Sequence, residues 1–471
     1  RYILNIYLSP FHISLFFFIL GQLLTFFYQI TSFYCIINMR SKSIIVIYII
    51  LKGAQSHMVS IEDYKIKPNK KIIDDLKIQI IYIPLESRLG YKYSPTVRVG
   101  DYVCIGTIVG KNQTSDMPLL STTSGTVVGF EKKYISNGHL VECVVIENDF
   151  KEKYLNKVGK KKDITKYSKE EFIDILTHLG ITGMGGSDFP TYIKYDTKDK
   201  IKYLIINGTE CEIYASADSA LMYNHPEEIL EGIDAIMEIM DIDYAYIAVK
   251  ETNTMVIKKF LKYINTYPNI KVYGILDAYP CGYERILVNS VLGYTYDRLP
   301  KEVSTIVNNV STIYAIYEML KYHKPLIERT ITISGPGIKH PANYKVKVGT
   351  NFNEIILKTE PLNKLKNPIL IAGGAMMGTS IPTDELIVTK DLNCILVLED
   401  LIDKPSPCIK CGKCAEVCPR NLIPSMIINN PTNSKDLEIN KCIACGLCSY
   451  VCPSKIEVRD LIKKIKEANH D

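Results

Sequence analysis

Charge is missing from Tyr2 to Met39: the stretch has no Asp, Glu, Lys or Arg. Within this gap Phe11–Ile30 is long and apolar enough to span a bilayer. Arg40 and Lys42 follow it, on what would be the inner side. A clear small-x-small cleavage site is lacking, which counts against a cleaved signal peptide. So is an initiating methionine: the chain opens with Arg1, and Met39 and Met58 are the start candidates. Two readings of segment 1–50 therefore stand, a transmembrane helix or sequence upstream of the true start. No other long apolar stretch occurs, which excludes a multi-span body and leaves partners as its route to a membrane. Acidic residues are absent from 1–61, where Arg1, Arg40, Lys42 and Lys52 are the basic ones. Removing those four charges from the net +5 leaves +1 for the rest of the chain. A near-neutral body has no electrostatic footprint for nucleic acid.

A disulfide framework is excluded as well, because such frameworks belong to short secreted chains and this one has 471 residues. The cysteines it does have are ordered. Cys408-x-x-Cys411-x-x-Cys414-x-x-x-Cys418-Pro419 recurs as Cys442-x-x-Cys445-x-x-Cys448-x-x-x-Cys452-Pro453. Structural zinc needs four ligands, and two complete three-plus-one runs overshoot that need. The doubled run is how bacterial-type ferredoxin modules hold two 4Fe–4S clusters. Three thiolates of a run grip three irons of one cube, and the fourth reaches across to the other. On this reading Cys408, Cys411, Cys414 and Cys452 bind cluster one; Cys442, Cys445, Cys448 and Cys418 bind cluster two. Such a pair predicts a relay for single electrons, and cluster thiols predict a reducing compartment. The scattered Cys35, Cys104, Cys143, Cys211, Cys281 and Cys394 read as small buried hydrophobes.

Length predicts three or four domains. Residues 51–155 read as β, with short apolar runs such as Gln79–Pro84, Gly125–Phe130 and Leu140–Ile146 between turn residues. Val97-Arg98-Val99-Gly100-Asp101 and Ser124-Gly125-Thr126-Val127 suggest the two halves of a barrel-sandwich, lipoyl-like domain. Lys111 is the one lysine between them, without the usual carrier setting, so a structural module is favoured over a swinging arm. Residues 160–325 alternate helix and strand, the mark of a Rossmann-like α/β domain with a largely parallel sheet. Its first helix opens on a capping box, Ser168 with Glu171. Pro226–Met240 and Val310–Leu320 are further helices; Tyr203–Ile206 and Tyr244–Val249 are strands. Residues 326–395 return to short strands and suit a β-grasp module. Residues 396–471 form the cluster domain, ending in the helix Val458–Ala468.

Gly180-Ile181-Thr182-Gly183-Met184-Gly185-Gly186-Ser187-Asp188-Phe189-Pro190-Thr191 follows a helix. Successive backbone N–H groups there can cradle a phosphate. The run is not the dinucleotide fingerprint, because no strand precedes it. Lys194 supplies a cation nearby. Asn207-Gly208-Thr209-Glu210-Cys211-Glu212 ends a strand and offers an amide and two carboxylates for ribityl or ribose hydroxyls.

Together the runs 183–191 and 207–212, Ala217-Asp218, Val307-Asn308-Asn309-Val310, Met376-Met377-Gly378 and the doubled cysteine motif closely resemble the RnfC family of the Rnf electron transport complex. The resemblance covers about residues 51–460, with the motifs in the family's order. Leu51-Lys52-Gly53 and His57 look like its N-terminal Lys-Gly-Gly-x-His element. The flavin part is also similar to the NADH-oxidising flavoprotein subunit of respiratory complex I. The resemblance implies FMN and NAD(H), with the phosphate on the loop containing Gly183, Gly185, Gly186 and Phe189. It places Lys194, Asn207, Glu210, Glu212, Asn308 and Asn309 around the flavin. It implies membrane-embedded Rnf subunits and a ferredoxin-linked subunit as partners, at the cytoplasmic face of the membrane. The expected function is ion-translocating ferredoxin:NAD oxidoreductase. A flavin–iron–sulfur cobalamin reductase is the enzyme alternative, although the N-terminal barrel sandwich argues against it. A relay or scaffold subunit that has lost nucleotide binding is the other.

Three positions depart from the family pattern. Ser187-Asp188 replaces Ala-Gly, Ile213 replaces a Pro, and Cys281 and Tyr283 stand where Gln and Gly are usual. Asp188 is expected to set a carboxylate beside the FMN phosphate and weaken flavin retention by repulsion, and to strain a position of positive φ.

Overall fold

The computed structural model describes residues 33–40, 44–51, 58–155, 164, 167–359, 364–400 and 404–468. The stretch 11–30 lies outside them. In the described part of the N-terminal segment, strands Phe33–Arg40 and Ile44–Leu51 pair antiparallel. No helix among the described residues is long and apolar enough to cross a membrane.

The N-terminal body packs two small sheets. Strands Ile80–Pro84, Leu140–Asn148, Gly125–Tyr134 and Tyr102–Val103 lie side by side in that order, all antiparallel. Ser94–Pro95, Ile108–Lys111 and Leu119–Leu120 make the second sheet. Alternation drives the packing: Ile81, Ile83, Val109, Val127, Val144 and Ile146 point into one shared core. Lys111 ends its strand in register with Ser94 and does not stand on a free hairpin tip.

The central body has a four-stranded, wholly parallel sheet in the order Ile270–Ile275, Tyr244–Lys250, Tyr203–Gly208, Thr305–Asn309. The two inner strands carry fully buried apolar runs, Leu204, Ile205 and Ile206 in one and Ile247, Ala248 and Val249 in the other, because both their faces are covered, whereas Lys271 on the outer strand is exposed. Leu204 and Ile206 enter the core formed with helices Pro226–Met240 and Val310–Tyr322, while Ile205 enters the core on the opposite face, with helix Glu284–Leu292. The capping box forms as expected: the Ser168 hydroxyl accepts from the Glu171 amide at 3.2 Å, and the Glu171 carboxylate accepts from the Ser168 amide at 2.8 Å. Ser168→Ala should lower stability by about 1 kcal/mol, read as a drop in the thermal midpoint; an unchanged midpoint would mean the cap contributes nothing.

A third sheet runs Ala342–Lys347, Glu328–Ser334, Cys394–Glu399, Pro368–Ala372, Thr379–Ile381, with helix Phe352–Thr359 packed against it through Phe352 and Ile355. Its only parallel pair is Glu328–Ser334 with Cys394–Glu399. The C-terminal body is made of short helices, and its two cysteine runs adopt the same backbone. Lys410 and Ala444 both have positive φ, as do Gly412 and Gly446, each of which opens a one-turn helix. The Lys410 amide donates to the Cys408 sulfur and the Ala444 amide to the Cys442 sulfur, both at 3.4 Å.

Candidate functional site

The parallel strands Tyr203–Gly208 and Thr305–Asn309 end side by side, with Asn207 in register with Asn309. Ligands of open α/β sheets bind outside such carboxyl ends. The glycine loop closes over this edge. Gly183 donates to the Phe189 carbonyl at 2.8 Å and Asp188 donates back to the Gly183 carbonyl at 3.0 Å, so the loop is stapled at its base. Met184 donates to the Thr312 hydroxyl at 3.0 Å, which fixes the loop on helix Val310–Tyr322. A Cβ on Gly185 would lie 3.0 Å from Cβ of Asn309, so any larger residue would have to push Asn309 aside. Gly186 has φ +97° and open space where a Cβ would stand. The amides of Gly185, Gly186 and Ser187 have no partner among the described residues. Three consecutive unpaired N–H groups make an anion-binding concavity.

Lys194 sits just beyond, on the short helix Thr191–Tyr195. Its ammonium donates to the Val307 carbonyl at 2.7 Å and has no carboxylate within ion-pair distance among the described residues. Burial of the headgroup holds its pKa below the usual lysine value. The Thr191 hydroxyl is buried without a partner. An unpaired cation, a lone hydroxyl and three free amides are the donor set a phosphate would satisfy, so the residues present fit an FMN phosphate.

The other expected flavin residues divide into two groups. Asn207, Asn308 and Asn309 converge on the sheet edge but are braced. Asn207 donates to the Gly282 carbonyl at 2.9 Å. Asn308 donates to the Tyr195 hydroxyl. Asn309 accepts from the Ser311 amide at 2.9 Å and donates to Asp218 at 2.7 Å. Glu210 and Glu212 were expected to offer free carboxylates; both are taken up by backbone amides. Glu210 accepts from Asp218 and Ser219 at 2.8 and 3.1 Å, at the start of helix Ala217–Asn224. Glu212 accepts from Met376 and Met377, both at 2.9 Å, tying the site to the third sheet. Burial pushes both carboxyls up, and Lys65, whose ammonium donates to the Glu212 and Ala215 carbonyls, opposes that rise. Lys65 escaped sequence reasoning because only folding brings it to the loop.

Asp188 corrects an expectation. Its φ is +52°, the strained region foreseen. Its carboxylate, however, bonds none of the free amides and accepts from the Arg88 amide of the N-terminal body at 3.2 Å. It is buried, and burial first and Asp391 second push it up to about 7. The Arg88 guanidinium donates to Asp391 at 3.3 Å, and Lys390 donates to the Gly180 carbonyl at 2.8 Å. The residue that was to repel a phosphate instead joins three bodies beneath the loop.

The eight motif cysteines fall into two groups of four. Cys408, Cys411, Cys414 and Cys452 line one hollow, with Cys452 coming from the second run. Cys418 of the first run acts electrostatically on Cys442, Cys445 and Cys448 and packs in one core with Cys442 and Cys448. Cys452 of the second run thus lies with the three cysteines of the first, and Cys418 of the first run packs with cysteines of the second. The two groups differ in setting. Cys408 and Cys411 are exposed, whereas Cys418 and Cys445 are buried. Burial pushes Cys445 up to about 11 and Cys448 up to about 12. The second group faces the flavin-type site: the Tyr279 hydroxyl donates to the Cys445 carbonyl at 2.7 Å. Arg459 locks the junction, donating to the Met376 and Gly378 carbonyls at 2.6 and 3.0 Å. Met376-Met377-Gly378 thus lies between Glu212 and the second cysteine group.

Family models agree with this division. One described as the RnfC barrel sandwich hybrid domain matches residues 57–151, one described as the Nuo51 FMN-binding domain matches 176–318, and one described as a 4Fe-4S dicluster domain matches 407–456. Among solved structures, an NAD+-reducing [NiFe]-hydrogenase aligns over 66% of this chain and 62% of its own at 16% identity and a TM-score of 0.45. The chain is 32% identical over 360 residues to the C subunit of the proton-translocating ferredoxin:NAD(+) oxidoreductase complex of Clostridium ljungdahlii, covering 74% of this chain and 77% of that one. It is 31% identical over 356 residues to the Na(+)-translocating counterpart of Acetobacterium woodii, covering 74% and 80%. It is 32% identical over 370 residues to the C subunit of the ion-translocating oxidoreductase complex of Rhodobacter capsulatus, covering 76% and 71%. With the barrel sandwich, the flavin-type loop and the crossed cysteine groups in one chain, the protein belongs to the RnfC family of ion-translocating oxidoreductase complexes.

Proposed function

We propose that this chain is the NADH/FMN/iron–sulfur electron-transfer subunit of an ion-translocating ferredoxin:NAD oxidoreductase, working at the cytoplasmic face of the membrane with membrane-embedded and ferredoxin-linked subunits. The observation that carries the reading is the free donor set at Gly185–Ser187 and Lys194, in a chain whose Tyr279 bonds the backbone of a cysteine-rich body. When bound, FMN supplies the exchange between hydride and single-electron chemistry, and two 4Fe–4S cubes supply single-electron carriers. The chain's own residues position these groups. The loop amides and Lys194 hold the phosphate end, and Asn207, Asn308 and Asn309 shape the sheet-edge wall. Glu210 and Glu212 act indirectly, by fixing helix Ala217–Asn224 and the Met376–Gly378 turn. No side chain is assigned as acid or base. The relatives' names support NAD(H) as the substrate and the other subunits as partners. The scaffold alternative is disfavoured, since the Asp188 carboxylate is engaged by the Arg88 amide. The barrel sandwich disfavours the cobalamin reductase.

Lys194→Met tests the reading. A charge-assisted hydrogen bond contributes about 1.5–3 kcal/mol. FMN affinity, measured by fluorescence titration, should therefore fall about 10- to 100-fold, with NADH:acceptor activity falling alongside. Unchanged affinity would place the phosphate elsewhere.

A further inference from the structure

The glycine loop meets the third sheet through a buried arginine. Arg329 lies in strand Glu328–Ser334, and only 2% of its surface is exposed. Its guanidinium donates to three main-chain carbonyls: Met184 of the loop at 3.1 Å, Thr330 at 3.4 Å, and Lys390. All three partners are carbonyls, and no carboxylate among the described residues stands within ion-pair distance of it. Asp218, Asp391 and Asp188 act on it only from farther away. Burial lowers its pKa to about 10, so it remains a cation at neutral pH. Lys390 extends the arrangement: its carbonyl accepts from Arg329, and its ammonium donates to the Gly180 carbonyl at 2.8 Å. Two linked cations thus hold loop carbonyls at Gly180 and Met184.

Peptide geometry turns this grip into a direction. The Met184 carbonyl and the Gly185 amide belong to one peptide unit, which is planar and trans. In such a unit the C=O and the N–H point opposite ways. Holding the carbonyl towards Arg329 therefore points the Gly185 amide away from it, and that amide is the first of the three without a partner. The restraint matters because a glycine at 185 leaves the peptide free to turn over. The Met184 amide, fixed on the Thr312 hydroxyl at 3.0 Å, secures the other side of the same residue.

We propose that Arg329 is a positioning residue for the flavin phosphate: it sets the Met184–Gly185 peptide with its amide aimed at the anion, and it adds a positive charge behind the loop that no ion pair neutralises. The inference rests on the flavin reading above and deepens it. Arg329 acts on the phosphate end alone, since riboflavin offers the loop no anion. Without it, the ligand itself would have to order the peptide, and affinity would fall by that cost.

The test compares FMN with riboflavin by fluorescence titration of the full chain with its clusters loaded. Wild type should bind FMN the more tightly. In Arg329→Met, FMN affinity should fall about tenfold, with riboflavin affinity and iron content unchanged. Arg329→Lys keeps the charge without the fork, and its FMN affinity should lie between the two. Equal losses for FMN and riboflavin would mark an arginine that only holds the fold together and would overturn the proposal, as would an unchanged FMN affinity. If Arg329→Met loses its iron, Arg329→Lys decides alone: FMN weakened relative to riboflavin supports the proposal, and an unchanged ratio overturns it. Failure of the flavin reading has a different signature. Wild type itself would then bind FMN no better than riboflavin, and Lys194→Met would change neither, which removes both.

Discussion

Cys418→Ala and Cys452→Ala should each halve the iron content, from about eight to about four per chain, yet differ sharply in function. Cys452 completes the exposed group with Cys408, Cys411 and Cys414. Cys418 completes the buried group, whose Cys445 carbonyl is held by Tyr279 of the flavin-bearing body. On the function proposed above, the buried group would stand first in line from the flavin and the exposed group would pass electrons onward. In Cys452→Ala, NADH should still reduce the surviving cluster. In Cys418→Ala the surviving cluster should stay oxidised on the same timescale, and transfer to a partner should be all but lost. Electron paramagnetic resonance after rapid freezing distinguishes the two. Equal reduction of the surviving cluster in both variants would sink the assigned order.

The second large effect concerns pH. Asp188 is buried between the Arg88 amide and Asp391, and its carboxyl is pushed up to about 7 from an ordinary value of 3.8. For an acid raised on folding, the native state holds the proton more tightly than the unfolded chain. Stability is then unpenalised below about pH 4 and falls as pH rises towards 7, where the buried carboxyl must ionise. A rise of that size, with the opposing Lys390 already included, corresponds to about 4 kcal/mol at alkaline pH. Asp188→Asn keeps an oxygen for the Arg88 amide and removes the charge. The variant should be the more stable protein at pH 8, by up to about 4 kcal/mol, and the difference should vanish below about pH 4. Hydrogen exchange of the amides at 181–191 across that range measures it without assuming a single unfolding transition. Superimposable pH profiles for the two proteins would show that the carboxyl is not strained by burial.

What could be read along the chain was whatever short-range physics decides. Helix Pro226–Met240 was legible to the residue because Pro226 suits the first turn and a left-handed Asp241 ends it. The Ser168–Glu171 box is complete within four residues. The doubled cysteine spacing is visible within each run, and folding sets Cys452 of the second run beside Cys408, Cys411 and Cys414 of the first. Strands Ile270–Ile275 and Thr305–Asn309 escaped notice, being short and recognisable only once parallel neighbours cover both faces.

The candidate site shows the same split. Glycines that free a run of amides are visible in sequence, since a missing side chain is a local fact. The direction of a carboxylate is not. Asp188 turns to Arg88, Glu210 to the start of a helix and Glu212 to Met376 and Met377, because buried oxygens go to whichever amides the packed bodies bring within about 3 Å. The placing of the second cysteine group against Tyr279 likewise depends on segments far apart in sequence arriving at one edge. Ligand types and their grouping were set by covalent spacing along the chain. Which polar group faces the flavin site, and which faces the seams between bodies, was decided only when desolvation made every buried donor and acceptor find a partner across the fold.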